Sequence, residues 1–507
     1  MNRSKIVFFK ILSPMDTKFP LKVRENPKYD NHPLINKKAI DEAIDEYDEK
    51  LYYTRGKSFF DISDLSLNIE GRFLAENIPE VPSIVIDDIC TPKILFKTLK
   101  KDDVTHIALS TYASGLDKAI EIIKIIQSEF KDKALYIGGV GAVYPHFQEI
   151  VNPKNICIGN GVNWLRQKFN LRRYKGEDFK IPKIIGDFPG IPIPVKTAYL
   201  ITQIGCPQNC DFCITTKLLK YQPFSRHEKI INAIEELSSH SKKDIFLFIN
   251  EPNAFYPETT WKKVFEYFIK NRENFDKSIF IAFDGSLNHI NKFDLESIQM
   301  KSPLKFTLIS FGIESTLEGG YIKNQGNPEK TIERLNNLGI ITKQNYILGL
   351  PFHTPKTIDV DIENNLKLDS DIYAISNFIP IPLTPLYNQL ELERRHYDRT
   401  LPPEFLYSYG FQPFNHEYLG GGFNILKYLF RALYESEKKL VSIYGNFANK
   451  LMDLFGISHS RKIKWAANIF LKLDKFYLKS FQTRMSDDLI ITYRQRFERA
   501  RHRYINL

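Results

Sequence analysis

Residues 197–216 read TAYLITQIGCPQNCDFCITT. The apolar run that opens this stretch reads as a strand. The loop that leaves it carries Cys206, Cys210 and Cys213, with three and then two residues between them. Thiolates so spaced on one loop can converge on one iron-sulfur cluster, each holding one iron. Three ligands leave one iron of a four-iron cluster open to a substrate or cosubstrate. A closed zinc site needs a fourth ligand at similar reach. The nearest histidine downstream is His227, at a predicted helix start, so a Cys3His site is the competing reading.

Downstream of the triad, apolar β runs alternate with amphipathic helical patterns. After TAYLITQIG come DIFLFIN, SIFIAFDG, FTLISFGI, TKQNYILGL and AISNFIPI, with SRHEKIINAIEELSSH and ETTWKKVFEYFIKN among the helices between them. Six such units over 196–395 predict a partial (β/α)6 TIM-type barrel, whose chemistry belongs at the C-terminal strand ends. Upstream, 81–178 alternates in the same way, through SIVIDDI, THIALSTYASG, LDKAIEIIKIIQSEF and ALYIGGVG, and predicts a Rossmann-like doubly wound parallel sheet. The proline-punctuated stretch 179–195 reads as a linker, 1–80 as an N-terminal extension, and 396–507 as a basic, aromatic helical region. The fold class is therefore α/β, with two domains in series and a helical C-terminal region.

With its three-cysteine spacing after the first barrel strand, and Phe212 before the last cysteine, the chain resembles the radical S-adenosylmethionine superfamily. The resemblance implies a 4Fe-4S cluster on Cys206, Cys210 and Cys213, with S-adenosylmethionine on the open iron, cleaved reductively to methionine and a 5'-deoxyadenosyl radical. It also implies cosubstrate contacts from Phe212, from Asn250 and Glu251 at the second strand end, from Glu314 and Ser315 in FGIES, and from Gly349 in ILGLPFHT. The front domain is similar to the cobalamin-binding domain of one subgroup, through Ser110 and Thr111, Gly138 and Gly139, and Gly159 and Gly161. Two departures stand against that likeness: Gly159-Asn160-Gly161-Val162 replaces a Gly-Glu-Gly-Glu type sequence, and no Asp-x-His-x-x-Gly offers cobalt a histidine.

With cobalamin bound, the resemblance implies a methylcobalamin relay to an unactivated carbon of a small-molecule, lipid or natural-product precursor. Without it, the expectation is a cyclase, dehydrogenase or isomerase that keeps the radical chemistry. A low-potential donor such as flavodoxin or ferredoxin would supply electrons. Cys90 and Cys157 alone cannot hold a second all-cysteine cluster, which counts against members with auxiliary clusters.

Composition bounds the remaining choices. Lys+Arg 70 against Asp+Glu 60 gives 70 − 60 = +10 over 507 residues, without a basic block, so nucleic acid is not an expected partner. A non-catalytic zinc or nucleic-acid-binding module is the reading from another class. Five cysteines do not make a secreted disulfide framework, and MNRSKIVFFKILSPMDTKF has no readable secretory signal, so the expected location is cytoplasmic. The uncharged run Ile372 to Leu390 carries Pro380, Pro382 and Pro385 and reads as a strand and loop, not a membrane span. The aromatic C-terminal stripes suit core packing or peripheral contact with anionic lipid.

Overall fold

The structure is a computed structural model that describes residues 4–11, 19–30, 35–47, 68–86, 92–182, 184–187, 196–242, 244–317, 326–396, 401–408, 410–433 and 435–436. Four parallel strands form the first sheet: β1 (Lys5–Ile11), β2 (Ser83–Ile86), β3 (Val104–Thr111) and β4 (Ala134–Gly138), in the order β2-β1-β3-β4. Helix Leu116–Glu129 buries Leu116, Ala119, Ile122, Ile123 and Ile126, the three- and four-residue spacing of one helical face.

The strand β1 corrects the reading of 1–80 as an extension, because KIVFFKI is an inner strand flanked by both β2 and β3. Its signal is masked by Lys10, which looks out of place in an inner strand. In the fold Lys10 is 6% exposed, and its Nζ donates to Glu70 Oε1 at 3.2 Å, which meets the cost of burying the ammonium.

The second sheet has seven strands: β5 (Ile184–Asp187), β6 (Lys196–Leu200), β9 (Ile245–Ile249), β10 (Ile279–Gly285), β11 (Leu304–Glu314), β12 (Ile341–Leu348) and β13 (Ile372–Asn377). Between β6 and β9 lie two short strands, β7 (Gln203–Ile204) and β8 (Gln222–Pro223), paired only with each other. β6 and β9 to β13 are parallel and follow chain order, and β13 does not pair back to β6, so the barrel is partial as expected. β5 runs antiparallel to β6 at the edge, so part of the stretch read as a linker, 179–195, is sheet. An edge strand tolerates the surrounding prolines because one side needs no ladder donors.

Helices His227–Ser239 and Glu258–Lys270 cover the barrel sheet, burying Ile230, Ile234, Trp261 and Phe268 in one core. A second core is shared by both domains and joins Val7, Ile107 and Leu109 to Leu348, Ile358 and Leu429.

Past residue 400 the described chain is less helical than expected. It holds a hairpin, β14 (Gln412–His416) and β15 (Gly420–Gly422), ahead of a helical run over 426–433. Three consecutive glycines deny a helix there. The remainder of the expected helical region, 437–507, lies outside the described residues. The uncharged run ends as β13, a proline loop and helix Pro385–Leu392, and no described helix is long and apolar enough to cross a membrane.

Candidate functional site

The cysteine loop leaves β6 through the antiparallel pair β7 and β8, so 205–221 is a closed loop on a two-stranded base. Gly205 is required at that base. Its φ is +75°, and a Cβ there would sit 2.5 Å from the Leu219 carbonyl oxygen. Cys206, Cys210 and Cys213 are half-buried and outside any disulfide, and the Cys213 N–H donates to the Cys210 carbonyl at 3.2 Å. The loop's far side is pinned to the barrel mouth. The Leu386 N–H donates to the Asp211 carbonyl at 3.3 Å, and Phe212 packs against the cluster of Leu350, Phe378, Leu386 and Phe414. Phe212 thus anchors the loop by apolar contact.

The donor set fits a cubane cluster: three thiols within eight residues, half-exposed, on a loop braced at both ends. Among the described residues no three His, Cys, Asp or Glu side chains, the cysteine triad included, group around a single ion position. Iron atoms of a cluster are held one per thiolate, so those sulfurs need not meet at one point.

At the end of β9, Asn250 is exposed, while Glu251 is 3% exposed and turned inward. Glu251 Oε1 accepts from the Thr202 N–H, and its Oε2 is buried without a partner. Burial pushes the Glu251 carboxyl from 4.5 up to about 7, against the pull of the Thr202 and Gln203 amides. In the unfolded chain it titrates near 4.5, so the folded state binds the proton more tightly. The folded form is therefore most favoured below that value and loses stability as pH rises toward 7, by about 3 kcal/mol in all. The isosteric change Glu251→Gln is expected to leave urea unfolding of the cluster-free chain unchanged near pH 5 and to stabilise it at pH 8. A wild-type stability slope in the variant would contradict this assignment.

Glu314 and Ser315 end β11, both 5% exposed, with Glu314 at φ +63°. A non-glycine residue held there reflects the register shift that breaks the β11–β12 ladder between Gly312 and Glu314. Gly349, at φ +71°, ends β12. A Cβ on Gly349 would meet Gln412 Nε2 at 2.3 Å, and its carbonyl accepts from that same amide at 2.8 Å. The close approach at this glycine is therefore made by the chain's own hairpin.

Sequence reading missed Gln412 and His416. His416 Nε2 donates to the Leu350 carbonyl at 2.9 Å, and burial pushes its imidazole down to about 4, so it is neutral. Their only sequence signal is the GGG turn that folds the hairpin back.

In the front domain, Thr111 Oγ1 donates to the Gly138 carbonyl at 2.9 Å. Gly139, at φ +86°, lies so close to Thr111 that a Cβ would stand 2.4 Å from its carbonyl oxygen. A Cβ on Gly138, by contrast, would meet only Cys157 Cβ, at 3.8 Å. Beside it is a cavity of about 280 Å³ lined by Ser110, Gly138, Gly139, Gly159 and Gly161 from the front domain. Its other wall includes Gln203, Ile204 and Gly205, the residues immediately before Cys206. Of the six front-domain residues singled out, only Thr111 stays behind the wall. Among the described residues no histidine lines the cavity.

No family model matches the chain. It is 25% identical over 223 residues to the heme chaperone HemW of Bacillus subtilis (strain 168), a match spanning 41% of this chain and 56% of that protein. The chain thus spans just over half the length of this curated relative. Among solved structures, the cobalamin-dependent S-adenosylmethionine radical enzyme OxsB matches with a TM-score of 0.51 at 13% identity, over 99% of this chain and 83% of that one. The radical S-adenosylmethionine methyltransferase TsrM from Kitasatospora setae, with cobalamin and a [4Fe-4S] cluster bound, gives a TM-score of 0.48 at 12% identity, over 77% of this chain and 75% of that one. A Rossmann-like sheet, then a partial barrel that opens on the cysteine triad, is the fold that this chain shares with OxsB.

Proposed function

We propose that the protein is a cobalamin-dependent radical S-adenosylmethionine enzyme that methylates an unactivated carbon of a small-molecule, lipid or natural-product precursor. The observation that carries this reading is the cavity whose walls come from both domains: the turn glycines of the front sheet on one side, the base of the cysteine loop on the other. Cys206, Cys210 and Cys213 would hold the cluster, and Ser110, Gly138, Gly139, Gly159 and Gly161 would flank the cobalamin. The cavity volume, just below the roughly 300–1,000 Å³ typical of small-molecule sites, would suit one arm of a corrinoid, such as its nucleotide tail.

When bound, the reduced cluster supplies the electron that cleaves the sulfonium of S-adenosylmethionine, and cobalamin supplies a transferable methyl group. The chain's own residues place and shield these groups. Asn250, Glu314 and Ser315 would receive the polar parts of S-adenosylmethionine at the strand ends, with its adenine beside the Gly349 turn. Glu251, engaged on the Thr202 amide, keeps the approach to the cysteine loop in position. Phe212 excludes water from the side of the loop packed on the barrel. Electrons would come from a low-potential donor such as flavodoxin or ferredoxin.

A second reading, the same radical chemistry without cobalamin, is favoured by Gly139. Its missing side chain is explained by packing on Thr111, with no ligand needed. Metal content decides between the two. After anaerobic reconstitution with iron, sulfide and hydroxocobalamin, then desalting, the expected content is about four irons and one cobalt per chain. Incubation with S-adenosylmethionine and reductant should then yield methionine with 5'-deoxyadenosine, S-adenosylhomocysteine, or both. Four irons without cobalt would establish the second reading, and a colourless zinc protein would overturn both.

A further inference from the structure

The ends of β11 and β12 are joined by a buried relay of side chains that neither the cysteine loop nor the cavity uses. The β11–β12 ladder stops at the pair Glu314 and Tyr346, so residues 315–317 and 349–354 leave the sheet without backbone partners in each other. Side chains make the connection. The Thr316 N–H and hydroxyl both donate to Asp361 Oδ1, at 2.6 and 2.7 Å. The other oxygen, Asp361 Oδ2, lies 3.1 Å from His353 Nε2. His353 Nδ1 accepts from the Gly349 N–H at 3.0 Å and from the Leu350 N–H at 3.1 Å.

Two backbone donors on Nδ1 assign the proton to Nε2, which then donates to Asp361. Both side chains are fully buried. Asp361 also accepts from Asn365 Nδ2 at 3.0 Å, so its charge is met from three residues. Burial pushes the Asp361 carboxyl up, and the hydrogen bonds from His353 and Thr316 outweigh it and hold the group below its usual value.

Helix Pro355–Lys367, which carries Asp361, needs none of this to dock. Ile358, Ile362 and Leu366 already seat it in the shared core, and Thr354 caps its N-terminus through the Thr357 N–H at 3.1 Å. A polar pair at 0% exposure beside that apolar seat holds geometry that packing alone leaves loose.

We propose that His353 and Asp361 are positioning residues that lock the β11 end to the β12 end and so set the distance between the two segments that receive S-adenosylmethionine. This inference rests on the assignment of Glu314, Ser315 and Gly349 to that cosubstrate. The dyad is fully buried and lies outside the cavity lining. It acts through the amides of Gly349 and Leu350 on one side and of Thr316 on the other.

Three variants test it: His353→Leu, His353→Gln and Thr316→Val. Glutamine can accept from the two amides and donate to Asp361, whereas leucine can do neither. Thr316→Val removes one hydroxyl from Asp361 and leaves the helix untouched, so it serves even where the leucine variant fails to fold.

In the cluster-free full chain, hydrogen exchange should quicken in His353→Leu at Gly349 and Leu350 and also at Thr316, which His353 does not contact. In the reconstituted enzyme, the KM for S-adenosylmethionine should rise about tenfold with iron content unchanged, since a small misplacement of a binding segment weakens every contact it makes. Glutamine should restore both readouts, and Thr316→Val should raise KM about threefold. Unchanged exchange at Thr316, or a glutamine variant as impaired as leucine, would overturn the coupling. Faster exchange with an unmoved KM would overturn the positioning role. Glu314→Gln separates the underlying assignment: if it too leaves S-adenosylmethionine binding unmoved, the strand ends are not the cosubstrate site.

Discussion

Replacing Cys210 with alanine is expected to reduce reconstituted iron from about four atoms per chain to background and to abolish cleavage of S-adenosylmethionine. The expectation follows from how few substitutes the described residues offer. Removing the middle thiolate leaves two ligands on the loop, and the nearby Cys157 cannot move in. It is 7% exposed beside Gly138, and burial pushes its thiol up to about 12, so it remains protonated and a poor ligand. The fold should survive. Cys210 is only half-buried, and its loop is held by the β7–β8 base, by the Leu386 to Asp211 hydrogen bond and by Phe212, none of which uses the thiol. Urea unfolding of the cluster-free variant should therefore match the parent within about 1 kcal/mol, as for other changes outside the core. Iron retained at parental level would remove Cys210 from the ligand set, and iron lost together with the fold would make the cysteine structural.

The triad and the six barrel strands were legible because each carries a local signal. Cysteine spacing is read directly, and runs such as IFLFI and IFIAF are buried on both faces, which is what parallel strands under helices require. Three of the four front-sheet strands were legible. β2, β3 and β4 announce themselves, but β1 lies more than seventy residues before β2, and the Lys10 inside it makes sense only beside Glu70. The same limit applies at the site. Asn250 and Glu251 share a strand end in sequence, yet one faces solvent and the other is buried under Thr202, a division that only the packed loop creates. Gly349 was legible as a position needing no side chain; that its neighbour is Gln412, sixty-three residues on, was not. What escaped the sequence in each case is a contact between distant segments, and a single sequence carries no record of those.

Gly138→Leu is expected to abolish cobalt retention while leaving the iron content intact, which makes it the sharpest division between a working front domain and a scaffold. The choice of Gly138 over its neighbour is steric. At Gly139 any side chain strains a backbone at φ +86° and drives a Cβ to 2.4 Å from the Thr111 carbonyl oxygen, so a loss of cobalt there would report only a damaged domain. At Gly138 a Cβ meets nothing nearer than Cys157 at 3.8 Å, and both residues line the cavity, where the added isobutyl group is expected to take up space. The Thr111 to Gly138 hydrogen bond uses the backbone carbonyl and is untouched. A Cβ at Gly138 meets no atom of the cysteine loop within 4 Å. Cobalt in the desalted variant should therefore fall at least about tenfold, the loss expected when a filled site costs about 1.4 kcal/mol or more of binding, with about four irons retained. Cobalt bound as in the parent would mean that the corrinoid does not enter this cavity, and Gly139 would then be explained by its close packing on Thr111 alone.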